Sequence, residues 1–138
     1  MGTITIWQNL RRMVSNPMDE PGSARKALIG VVGPCGSGKS TLTGGLSLLG
    51  YRARHIAQEH SYVKDMWLRL TRPDILVFLQ ASWQVGGRRR QMDWTLAEWE
   101  QQQSRLDHAR EHADLYLETD NLSAEQVLTK VLGYLQER

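Results

Sequence analysis

The residues best suited to chemistry lie in one run, GPCGSGKST, from Gly33 to Thr41. Gly33, Gly38, Lys39 and Ser40 meet the spacing G-x-x-x-x-G-K-[ST], and Gly36 adds the tighter form G-x-x-G-x-G-K-S. Glycines let a backbone turn through positive φ and come close to an anion. Successive N–H groups and the positive end of a following helix then surround a phosphate. A lysine at the Lys39 position supplies a point charge to β and γ phosphates, and a hydroxyl at Ser40 supplies a ligand to Mg²⁺. The expected nucleotide-binding set is Gly33, Pro34, Cys35, Gly36, Ser37, Gly38, Lys39, Ser40 and Thr41, with Ser40 on the metal.

A second group of candidates is the QEHS run, Gln58 to Ser61. It follows an expected strand over 51–57, and the C-terminal ends of strands in an open parallel sheet face the ligand crevice. Glu59 is therefore a candidate base on an acceptor hydroxyl, or a water-mediated Mg²⁺ ligand. His60 is a candidate hydrogen-bond partner for substrate or phosphate. A polar helix entry accounts for both residues equally well. Asp65 is a weaker candidate for the same roles as Glu59.

These groups need a scaffold, and the flanking pattern supplies one. Leu28 to Val32 is a short apolar run rich in β-branched residues, as buried strands are. A helix is expected from Lys39 to about Leu49, stopped by Gly50. SYVKDMWLRLTR predicts another, opened by Ser61 as N-cap, with Val63, Met66, Trp67 and Leu70 on one face and Pro73 as its end. DILVFL, from Asp74 to Leu79, is the clearest strand. A polar, arginine-bearing segment runs from Ser82 to Trp94. Thr95 to Glu98 reads as a capping box opening one long helix to about Glu111. DLYLE, 114–118, predicts the last strand. Ser123 to Gln126 is a second capping box, opening a helix that buries Val127, Leu128, Val131, Leu132 and Leu135. Strands alternating with helices predict an α/β fold: a mostly parallel sheet of four to five strands, helices on both faces.

On these residues the chain resembles the nucleoside/nucleotide-kinase branch of the P-loop NTPases, which includes thymidylate, shikimate and adenylylsulfate kinases. The loop form G-x-x-G-x-G-K-S is common in that branch. PDILVFLQASWQVGGRRR is similar to the kinase segment in which a strand leads to a helix ending in paired arginines. HADLYLETDNLSAEQV is similar to the last strand and helix. The resemblance spans most of 28–135 and implies the three-layer P-loop NTPase fold, with ATP and Mg²⁺ as cofactors. It also implies a lid whose arginines neutralise the transferring phosphoryl group. Arg88 and Arg89 match that position best, with Arg90 next; a solvated basic face is the plainer reading. Gly86 and Gly87 suit a hinge. The turn at Thr119, Asp120 and Asn121 matches one near the adenine.

The chain also departs from that pattern. Only about 16 residues separate the second strand from DILVFL. A whole strand with its Mg²⁺-holding Asp, and most of an acceptor-binding segment, have no counterpart. Gln80 stands where an acid is common, and Asp74 begins its strand at the wrong end for that role. Gln58 or Gln80 would have to orient water in a slow NTPase. Three readings of function follow: a kinase passing the γ-phosphate of Mg-ATP to a small acceptor, a non-catalytic nucleotide-binding module, and a slow NTPase switch.

Smaller signals are more ordinary. Cys35 lies within the loop, where a helix N-terminus can lower a thiol's pKa, though a small loop residue explains it as well. His108 and His112 have the i, i+4 spacing of metal ligands, but also suit a solvated helix face. Trp94 and Trp99 flank the arginine segment as stacking platforms or as packing.

With 138 residues, the chain fits one domain at 26–138 preceded by an N-terminal arm and linker at 1–25. In that arm Ile4, Ile6, Trp7, Leu10 and Met13 supply an apolar stripe, and its paired arginines leave a transit peptide conceivable. Hydrophobic residues are 41%, charged residues 23% and the net charge +2, which is too mild to indicate nucleic acid. One cysteine permits no internal disulfide. No apolar run approaches the roughly 18 residues of a membrane span. A cytoplasmic protein without nucleic-acid or membrane partners is expected, binding ATP in preference to GTP, with a homodimer as one way to complete the acceptor pocket.

Overall fold

The computed structural model describes residues 26–138, so the expected N-terminal arm lies outside the described residues. Four strands form one sheet: β1 (Leu28–Val32), β2 (Arg52–His55), β3 (Ile75–Gln80) and β4 (Leu115–Glu118). Their order is β2-β1-β3-β4, and every pairing is parallel. Val31 lies opposite His55 on one side and Val77 on the other. The chain leaves β1 toward β2, then crosses to β3 on the far side. Ligand crevices in such sheets open at the carboxyl ends of the strands where the order reverses, here between β1 and β3.

Helices cover both faces because the central strands are apolar on both. Ile29, Val31, Ile75, Val77 and Leu79 pack with Leu42 and Leu46 of α1 (Lys39–Leu48). Val127, Val131 and Leu132 of α5 (Ala124–Glu137) close that side. The alternate residues Val32, Leu76 and Phe78 face the other way, toward Ile56, Trp67, Leu106 and Ala109. Period-two alternation within one continuous apolar run thus feeds two cores.

The start of each inner strand is fixed by an aspartate. The Asp74 carboxylate accepts the Leu28 N–H at 2.7 Å, while its own N–H donates to the Leu28 carbonyl at 2.8 Å. Asp114 repeats the arrangement with Leu76, at 2.8 Å in both directions. Asp74 therefore joins the amino ends of β1 and β3, at the end of the sheet opposite the crevice.

Two connections differ from expectation. SYVKDMWLRLTR forms turns and a π-helical turn at Trp67–Thr71 rather than a regular α-helix. Of its expected apolar face only Trp67 is buried, and Leu70 is 76% exposed. Ser61 does not cap a helix; its Oγ accepts from the Val63 N–H within a local turn. Gln58 decides the local path. Its Oε1 accepts the Trp67 N–H at 2.8 Å, and its Nε2 donates to the carbonyls of Val63 and Arg105. Pro73 disfavours α geometry in the residue before it, and Arg72 leaves through φ 48°.

The long helix from Thr95 divides at Leu106 into α3 (Leu96–Arg105) and α4 (Asp107–His112). Its capping box is formed as expected. The break lets Leu106 and Ala109 both reach the core fully buried. The arginine segment contains α2 (Trp83–Arg90), capped by Ser82 Oγ on the Val85 N–H and ended by Gln91 at φ 51°. The second capping box, Ser123 with Gln126, opens α5. Among the described residues no helix is long and apolar enough to cross a membrane.

Candidate functional site

The glycine loop leaves β1 at the reversal point and runs into α1. Gly38 is the N-cap of α1, and no side chain caps its first turn. The helix end therefore keeps its positive character toward solvent. Gly36 has φ 81°, and a Cβ there would lie 2.6 Å from the backbone of Gly86. The first turns of α2 thus press on the loop, glycine against glycine.

Lys39 is buried and folded back over the loop. Its Nζ donates to the carbonyls of Gly33 and Pro34 at 2.9 and 3.1 Å, and pairs with Glu59 Oε2 at 2.9 Å. Glu59 lies on a short 3₁₀ turn, Gln58–His60, after β2. It is also buried, and its Oε1 has no hydrogen-bond partner. An orphaned buried oxygen costs about 1–3 kcal/mol. A buried ion pair is itself weak evidence for stability. Together these features suit a site built for an incoming cation or donor.

Two further residues gather at Glu59. His60 Nε2 stands 3.7 Å from Glu59 Oε2 and 3.8 Å from Cys35 Sγ. Cys35 is held from α3, where Gln102 accepts the Cys35 N–H through Oε1 at 3.0 Å and donates to its sulfur from Nε2 at 3.2 Å. Gln102 was missed in sequence. Its signal is its place in the stripe Trp99, Gln102, Leu106, Ala109, where it is the polar member of an otherwise apolar face.

The three arginines separate. Arg89 reaches across the loop, donating to the Gly36 carbonyl at 3.1 Å and to Thr119 Oγ1 at 2.9 Å, and also to the Thr119 carbonyl. Arg90 joins Arg89 in lining the cleft over the loop. Arg88 instead lines a separate surface groove with Trp83, Gln84 and Trp94. On a helix, adjacent side chains diverge by about 100°, so three consecutive arginines cannot share one target.

Two hollows meet at Arg89, Gly38 and Thr41. The larger, about 430 Å³, is lined by Cys35, Lys39, Ser40, Glu59, His60 and Arg90 among others. The smaller, about 160 Å³, is more apolar, with Leu42, Leu122 and Val127 beside Ser37 and Thr119. Thr119 is buried, and its Oγ1 donates to the Gln80 carbonyl at 2.9 Å. Asp120 accepts the Ser82 N–H at 2.9 Å, tying the turn after β4 to the start of α2.

Several sequence candidates lie elsewhere. Both ends of the Gln58 amide are engaged by backbone, and Gln80 pairs with Gln103. Neither is placed to orient water. Asp65 pairs with Arg69 at 2.9 Å. Trp83 and Trp94 each donate Nε1 to the other's carbonyl, and Trp99 donates to Ala81. These indoles pack the segment around α2 and do not line the cleft. His108 Nδ1 accepts from Trp67 Nε1, and His112 bonds the His108 carbonyl. No family model and no curated protein sequence matches the chain.

Proposed function

We propose that the chain is a small P-loop protein that binds Mg-ATP and transfers its γ-phosphate to a small acceptor. The observation that carries the reading is the buried Lys39, held beside an uncapped helix start and paired with an acid from the turn that follows the next strand. The loop amides and Lys39 would take the β and γ phosphates once Lys39 leaves the Gly33 and Pro34 carbonyls. Ser40 and Glu59 offer the hard oxygen ligands that Mg²⁺ requires, and Glu59 Oε1 has no other partner. The smaller hollow beside Thr119 and Leu122 would take the base. Arg89 would stabilise charge on the phosphoryl group in flight, a role worth several powers of ten where it has been measured. Electrostatics and positioning dominate this chemistry, so a small site is compatible with it.

A second reading is a nucleotide-binding module without catalysis. It is favoured by β3, which ends in Gln80 bonded to Gln103 rather than in an acid. One experiment separates the two. ADP release from Mg-ATP is measured with and without a deproteinised metabolite extract, beside direct ATP binding. Stimulated release that vanishes in Lys39→Ala supports the kinase. ATP binding without stimulated release supports the module. No ATP binding at all overturns both.

A further inference from the structure

We propose that Cys35, Glu59 and His60 form a binding site for a thiophilic divalent cation, Zn²⁺ by its ligand set. A thiol, an imidazole nitrogen and a carboxylate oxygen from these residues lie within 4.8 Å of one another. Sulfur, nitrogen and oxygen in that combination select zinc over the hard cations Mg²⁺ and Ca²⁺. Tetrahedral coordination at ordinary zinc–ligand lengths puts neighbouring ligand atoms roughly 3.4–3.6 Å apart. The observed separations are 3.8 Å from sulfur to His60 Nε2 and 3.7 Å from Nε2 to Glu59 Oε2, so small side-chain movements suffice. His60 can supply them, since 59% of its side chain is exposed.

Glu59 has capacity for such an ion: its side chain is only 4% exposed, and while Oε2 pairs with Lys39 its Oε1 lacks a partner. Gln102 supplies the outer-shell contact that metal ligands usually have, donating to the Cys35 sulfur while fixing its backbone. Three protein ligands leave a fourth position open to the cleft. Binding would release the Cys35 thiol proton to solvent. Lys39, at 2.9 Å from Glu59, opposes the cation by charge. Its removal should therefore strengthen zinc binding while abolishing any nucleotide binding, so the two proposals fail separately.

The test is zinc uptake by the reduced full chain, titrated against a chromogenic chelator. One equivalent is expected, with affinity falling at least about tenfold in both Cys35→Ser and His60→Ala, the loss that even an outer-shell change can produce. Cobalt in place of zinc should give a thiolate charge-transfer band that Cys35→Ser lacks, and circular dichroism should confirm that each variant is folded. His112→Ala should change nothing, which separates this site from the His108–His112 pair. No uptake by the wild-type chain, or uptake by Cys35→Ser and His60→Ala as tight as that of the wild type, overturns the proposal.

Discussion

Lys39 Nζ and Glu59 Oε2 are 2.9 Å apart, and both side chains are almost wholly buried. The pair joins the glycine loop to the end of β2, two elements that only the sheet brings together. In the proposed kinase this contact is exchanged for phosphate and Mg²⁺. Glu59→Gln should then lower extract-stimulated ADP release by at least about tenfold, a loss that even a change in a metal site's outer shell can produce. ATP affinity should change only a few-fold. The same substitution leaves Lys39 without its counter-charge, and should cost about 2 kcal/mol in a urea melt. Wild-type turnover in Glu59→Gln would remove Glu59 from the mechanism.

Arg88 and Arg89 should behave differently, although the sequence offers them as a pair. Arg89→Ala loses donors to Gly36 and Thr119 and should reduce ADP release by about 10²-fold or more. Arg88 lines the outer groove, and Arg88→Ala should stay within about threefold, as a solvated surface change does. Steady-state rates at saturating ATP decide the matter. Equal losses would mean that α2 rotates on ligand binding and that both guanidinia serve.

Tyr51 gives a prediction in pH. The residue packs beside the core formed by α1 and α5, and burial raises its phenol above the ordinary 10.0. The folded chain then holds a proton that the unfolded chain releases first. Its contribution to stability is complete below the unfolded pKa and is lost as pH climbs through the folded one. Tyr51→Phe should therefore match the wild type's decline below about pH 9.5 and lose less stability than the wild type as pH rises beyond about 10, read as urea midpoints. An identical decline in both proteins would assign the alkaline loss to other groups.

Much of the scaffold was legible because strong local signals agreed with the fold. Four expected strands formed, the second only over Arg52–His55, and both capping boxes formed where their Ser or Thr and Glu or Gln stood three apart. The glycine loop was legible for the same reason, since its spacing is local. Partnerships across the sheet were not. Gln102 lies 67 residues from Cys35, and no local rule links a mid-helix glutamine to a loop thiol. The stretch before Pro73 failed because one buried side chain, Gln58, replaces the backbone bonds of a regular helix. The arginines were misjudged as a unit because charge runs carry no information about direction, whereas helix geometry does.

The glycines of α2 carry the last prediction. In sequence Gly86 and Gly87 suggested a hinge. In the structure a Cβ on Gly86 would lie 2.7 Å from the Cys35 carbonyl oxygen, so the residue is small in order to let α2 meet the loop. Gly86→Ala must push the helix off the loop or displace the loop itself, and neither backbone yields cheaply. The expected cost is about 1–3 kcal/mol, the usual range for overpacking. ATP affinity should fall with it, because Arg89 is carried on the displaced helix. Gly44→Ala is the matched control. It lies in α1, with open space where its Cβ would go, and should stabilise by up to about 1 kcal/mol through helix propensity. Urea midpoints for the two variants should move in opposite directions. If Gly86→Ala is neutral while Gly44→Ala stabilises, α2 is free to move away from the loop, and the hinge reading returns.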